Sequence, residues 1–106
     1  MPILKIFMPH AVAPQTAEAL ASELEALCIN LLKAQPAAVQ IALAQATMLR
    51  GAAILVEAHY RAQSFRDAAL LEDFMERVES AVRRHLHASP RIRCFAVDQA
   101  GLSARN

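Results

Sequence analysis

The sequence predicts an α+β domain in which two tandem β-α-β units form one four-stranded mixed sheet, with two helices on one face. Three observations predict it. Short β-branched runs alternate with long segments of helical period. Each helical segment carries a single apolar stripe, so both helices must cover a sheet. The second half of the chain also repeats the first, which makes residues 1–106 a single domain of two units, 2–50 and 52–98.

The elements follow in order. Residues 2–8, Pro-Ile-Leu-Lys-Ile-Phe-Met, form a β-branched and aromatic run and hence a strand. Residues 14–33 place Leu20, Leu24, Leu27, Cys28, Leu31 and Leu32 along one helical face, with Pro14 suited to the first turn and Pro36 beyond the end. Residues 38–46 alternate Val39, Ile41 and Leu43 with Gln40, Ala42 and Ala44, a second strand that ends ahead of the break at Gly51. Residues 52–60 form a third strand. Ser64 with Asp67 three residues on approximates a capping box for a second helix over 66–87. That helix aligns Leu71, Phe74, Met75, Val78, Val82 and Leu86, and a fourth strand follows Pro90 over 91–98. A shift of 51 residues lays Leu20 on Leu71, Leu24 on Met75, Leu27 on Val78 and Leu31 on Val82.

Composition narrows the function classes. The chain is 56% hydrophobic and 20% charged with two glycines, which describes an ordered domain with one modest core. A net charge of +1 implies no steering toward nucleic acid or membrane. No stretch reaches the roughly 20 apolar residues of a membrane span, and the amino end lacks a secretory pattern. With Cys28 and Cys94 inside predicted core elements, the expectation is a cytoplasmic protein with reduced thiols. His10, His59, His85 and His87 show no ligand spacing, so neither metal nor cofactor is expected. Arg83, Arg84, His85, His87, Arg91 and Arg93 make a basic cluster, which is read as structural because positive residues in a helix's last turn complement its dipole.

Pro2 carries the chemistry. It directly follows Met1, and proline is small enough for the initiator to be removed. Removal leaves a secondary amine at the tip of a strand. An α-amino group titrates at about 7.7–8.0 when unperturbed. Apolar walls and nearby cations favour its neutral form, which suits a general base near pH 7. Arginine's planar fork suits a carboxylate or a developing enolate oxygen. Leu55, Glu57, His59 and Arg61 share one face of the third strand, and Arg91, Arg93 and Phe95 share one face of the last. Arg93 and Arg61 are the candidate substrate-binding residues. Arg66, early in a helix, is expected to face solvent. Glu57 is either a paired carboxylate or a group pointing into a cleft. Tyr60 and Cys94 are expected to serve packing.

Two β-α-β units behind an opening Met-Pro-x-Leu, with a mid-chain Val56-Glu57-Ala58, resemble the tautomerase superfamily, which includes 4-oxalocrotonate tautomerase and macrophage migration inhibitory factor. The resemblance spans roughly residues 2–98 and rests on few specific letters, and it is strongest to uncharacterised bacterial members. It implies a homotrimer that uses its amino-terminal proline, Pro2, to shuttle a proton beside the carbonyl of a small keto or enol acid, without a cofactor. Arginines would bind the substrate carboxylate. The family's strand arginine is missing from Val39-Gln40-Ile41 and is matched in the second unit by Ile92-Arg93-Cys94. The family's pre-helix arginine is absent from the first unit, and Arg61 and Arg66 flank that place in the second. The alternative is a catalytically silent trimer of the same fold that binds a ligand or partner.

Overall fold

The computed structural model describes Met1–Asn106, and its core is one sheet backed by two helices. In chain order the elements are β1 (Ile3–Met8), α1 (Pro14–Asn30), a short 3-10 turn (Pro36–Ala38), β2 (Gln40–Gln45), β3 (Ile54–Arg61), α2 (Ala68–Leu86), β4 (Pro90–Val97) and a terminal 3-10 turn (Gln99–Gly101). The strand order is β2-β1-β3-β4. β1 runs parallel to β2 and β3 parallel to β4, while β1 and β3 meet antiparallel at the centre. The mixed sheet of two β-α-β units is therefore the one the periodicity predicts.

Strand parity assigns every side chain to a layer. Leu4, Ile6 and Met8 of β1 and Ile54, Val56, Ala58 and Tyr60 of β3 point toward the helices and are buried. Their alternates, Ile3, Lys5 and Phe7 on β1 and Leu55, Glu57, His59 and Arg61 on β3, stand on the opposite, open face. Helix α1 sinks Leu20, Leu24 and Cys28 onto the sheet, and α2 sinks Phe74, Val78, Ala81 and Val82. Sixteen buried residues form one continuous core. Fully burying a side chain the size of Leu or Phe is worth about 1.5–3 kcal/mol, so this layer dominates the folding energy. No helix is long and apolar enough to cross a membrane.

Several boundaries move for identifiable reasons. Pro36 starts a 3-10 turn in which Ala38 and Val39 donate to the carbonyls of Gln35 and Pro36, so β2 begins at Gln40 instead of residue 38. Helix α2 begins at Ala68, not 66. Its cap is Asp67, whose carboxylate accepts from the Leu70 amide at 2.9 Å, and Ser64 takes no part. Asp67 wins because Arg66 is held outside the helix by bonds to distant carbonyls. Arg66 Nε and Nη2 donate to the Leu32 carbonyl at 3.0 and 2.6 Å, and Nη1 donates to the Arg61 carbonyl at 2.6 Å. The solvent-facing role expected of Arg66 is thus replaced by a staple between the end of β3 and the exit of α1. Desolvation there holds its pKa below the usual arginine value.

The internal repeat also has a different offset from the one that similar letters suggest. Buried helix positions pair as Leu20 with Phe74, Leu24 with Val78 and Cys28 with Val82, an offset of 54. A shift of 51 differs by three residues, close to one helical turn, so it still lands on the apolar stripe. In a strand, whose period is two, the odd shift sets buried Leu4 against Leu55 on the open face.

Candidate active site

Pro2 is fully buried at the entrance to β1, and its carbonyl accepts from the Gln40 amide at 3.0 Å. That bond extends the parallel β1–β2 pairing by one step and fixes the proline at the head of the strand. Its nitrogen is bonded to Met1, and Met1 lines a cavity of about 590 Å³. The floor of this cavity comes from the open sheet face, through Ile3, Gln40 and Arg61. One wall is the turn before β2, with Gln35, Ala37, Ala38 and Val39, and the C-terminal segment covers the other side through Leu102, Ala104 and Asn106.

Arg61 reaches this place because β3 runs antiparallel to β1. The register pairs Ile3 with His59, and carrying it two residues further sets Met1 opposite Arg61. Arg66 grips the Arg61 carbonyl, which fixes the backbone there, and the Arg61 guanidinium makes no intramolecular salt bridge. Arg61 is the one charged side chain among the residues lining the cavity.

Arg93 stands apart from this cavity. It lies opposite Glu57 in the β3–β4 register, exposed, with Nη1 donating to the Ile92 carbonyl at 2.8 Å. Within one chain, then, Arg61 and Met1, the residue bonded to the Pro2 nitrogen, line one cavity, and Arg93 lies elsewhere on the same open face. Glu57 belongs to that face too: it is about one-third exposed, 3.5 Å from His59 Nε2, and paired in register with Lys5. The His59 ring stacks on Phe95 at 4.8 Å between centroids. Tyr60 points into the helix layer, and burial raises its pKa above the ordinary phenol value. Burial pushes the Cys28 thiol up to about 12 and raises Cys94 as well, so both are poor nucleophiles.

Sequence reasoning missed two things. The wall at 35–39 and the C-terminal segment have no motif that marks them as cavity lining. The Arg66 staple was equally hidden, because its acceptor is a backbone carbonyl 34 residues away. The Glu23 carboxylate ties the two helices, accepting from both Arg84 Nη groups at 2.8 and 2.6 Å and lying 2.8 Å from His85 Nε2. The Arg84 hydrogen bond, chiefly, lowers its pKa.

No family model and no curated protein matches the chain. Solved structures do. A fused 4-OT protein described as an asymmetric trimer superposes with a TM-score of 0.83 at 17% identity, covering 96% of this chain and 91% of its own. Macrophage migration inhibitory factor of Toxoplasma gondii gives 0.79 at 15% identity, covering 96% and 95%. N1, a member of the cis-3-chloroacrylic acid dehalogenase family, gives 0.82 at 16%, covering 96% and 79%. The chain has the fold of the tautomerase superfamily.

Proposed function

We propose that the chain, once Met1 is removed, is a cofactor-independent tautomerase or isomerase that acts on a small keto or enol carboxylic acid. The observation that carries this reading is the placement of the Pro2 nitrogen, one bond from a residue lining the cavity that Arg61 also lines. The freed imino nitrogen accepts a proton from the carbon beside the substrate carbonyl and returns it to the neighbouring position. Arg61 binds the carboxylate and holds the reacting carbon at the nitrogen. Such a positioned base contributes typically 10²–10⁴-fold. Gln35 and Gln40 line the same cavity, and a side-chain amide is a donor of the kind suited to the oxygen on which enolate charge develops.

The proposal includes a homotrimer in the cytoplasm. Support comes from the fused 4-OT structures described as trimers and from the open sheet face, where Ile3, Phe7 and Leu55 are half-buried and Phe95 is exposed. Arg93 is on that face, so it meets substrate only from a neighbouring subunit. A second reading, a binding module without turnover, rests on the amide bond between Met1 and Pro2: while Met1 stays, the nitrogen cannot accept a proton. Ketonisation of phenylenolpyruvate, followed on protein shown by intact mass to begin at Pro2, separates the two. A rate well above buffer is expected, absent from protein that keeps Met1. Equal rates in the two forms, or none in either, would remove the proline from the chemistry.

A further inference from the structure

We infer that Arg66 is a positioning residue of the candidate site: its guanidinium holds Arg61 and the 35–39 wall in a fixed relation, from outside the cavity that they line. The inference rests on the reading of that cavity as the active site and adds the residue that sets its geometry.

Arg66 does not line the cavity and makes no salt bridge. Its donors go to two main-chain carbonyls instead, Nε and Nη2 to Leu32 and Nη1 to Arg61. Each carbonyl belongs to one side of the site. Arg61 lines the cavity itself, and the chain leaving Leu32 soon reaches the lining residues Gln35, Ala37, Ala38 and Val39. On the way, Lys33 turns the backbone at a φ of +57°, a left-handed conformation that residues with a Cβ seldom adopt. The Ala34 amide closes that turn on the Cys28 carbonyl at 3.1 Å, and the fork on Leu32 adds a second brace. The fork is itself anchored. The Arg66 amide donates to the Gln63 carbonyl at 3.0 Å, Asp67 beside it caps α2, and the Phe65 ring centroid lies 5.2 Å from the guanidinium carbon. A planar guanidinium serves several acceptors in one rigid geometry, which a flexible ammonium does not. Misplacing a reacting group by about 1 Å can lower a rate on the order of 100-fold, so the relation held here bears on turnover and not on stability alone.

Arg66→Met, Arg66→Lys and Val78→Ala, each in protein beginning at Pro2, test this with phenylenolpyruvate. Val78 is buried in the core and does not line the cavity, so its truncation supplies a loss of stability away from the site. Per folded molecule, Arg66→Met should lower kcat about 30-fold with KM within about threefold, and Val78→Ala should leave both within about twofold. Arg66→Lys keeps the charge but gives up the fork, and should still lose about tenfold in kcat. The pH midpoint of kcat/KM should stay where it is in both Arg66 variants, because Arg66 acts through Arg61 and not on the Pro2 nitrogen. Amide hydrogen exchange reads the same relation without substrate. The Ala38 and Val39 amides, which close the turn in the wall, should exchange about tenfold faster in both Arg66 variants, while those of β1 keep their rates. A kcat equal to the parent's in Arg66→Lys overturns the inference, even where Arg66→Met does not fold. So does an equal kcat loss in Val78→Ala, a moved pH midpoint, or unchanged exchange at Ala38 and Val39. Absence of turnover in the unaltered protein, with exchange quickened in the Arg66 variants, would overturn the enzymatic proposal alone.

Discussion

The two β-α-β units share a topology but end differently. The first opens at Pro2, where the strand begins next to a cavity and the neighbouring β3 finishes in Arg61. The corresponding end of the second unit opens in mid-chain, where β3 begins at Ile54, and the neighbouring β1 finishes in Met8 with no guanidinium. Here Gly51 turns the backbone at a φ of +97°, and a Cβ on it would come within 3.1 Å of Arg91 Nη1. Neither Gly51, Ala53 nor Arg91 lines any of the three cavities. A duplicated scaffold therefore does not duplicate a site. What distinguishes the first end is the combination of a nitrogen that processing can free, a cation and a recess, none of which β-α-β geometry provides by itself.

The contrast can be broken most directly at the arginines. In protein that begins at Pro2, Arg61→Ala should lower kcat/KM on phenylenolpyruvate by about 100-fold, as expected for loss of a charged contact to substrate. Arg91→Ala, at the second unit's end, should change it by less than about twofold. Comparable losses from both substitutions would abolish the distinction between the ends.

A smaller effect sharpens the link between the units. Arg66→Met keeps the aliphatic stem but removes the bonds to the Leu32 and Arg61 carbonyls. It should cost about 1–2 kcal/mol of stability, because bonds to charged groups are stronger than neutral ones and the part-buried Leu32 carbonyl is left unpaired. Urea unfolding measures this. A midpoint unchanged from the parent would mean that the staple holds nothing.

The smallest effect concerns the helix layer. The folded-state pKa of Glu23 is depressed, so its contribution is present above the ordinary carboxylate value of 4.5 and lost as pH falls through the lowered one. Glu23→Gln should therefore lower Tm by a few °C at pH 7, and the gap should close as the pH is taken down through the lowered folded-state value. A gap that does not narrow at all on acidification would assign the effect to packing instead of to the Arg84 and His85 contacts.

Much of the architecture was legible because burial on one side leaves a period. The stripe from Leu20 through Cys28 and that from Phe74 through Val82 name the helix faces, and alternation along 54–61 names the face that carries Arg61. Site placement was less legible. Periodicity says that Arg61 and Arg93 share the open face, but which of them approaches Pro2 depends on the antiparallel β1–β3 register, a long-range property. Ser64 and Asp67 both suit a helix start on local chemistry, and the choice between them was made by the Leu32 carbonyl far away in sequence. Ala81, buried in α2, adds too little side chain to register in a pattern of large apolar residues.

The connection across 46–53 joins the two units, yet β1 and β3 already pair along the sheet, Arg66 reaches back to Leu32 and Arg84 reaches Glu23. Its physical task is then chiefly to keep the halves at a high effective concentration, in the millimolar range for a short tether. Separate polypeptides ending near 46 and starting near 53 would retain every one of those contacts and lose only that proximity, so their reassembly should depend on how much of each is mixed.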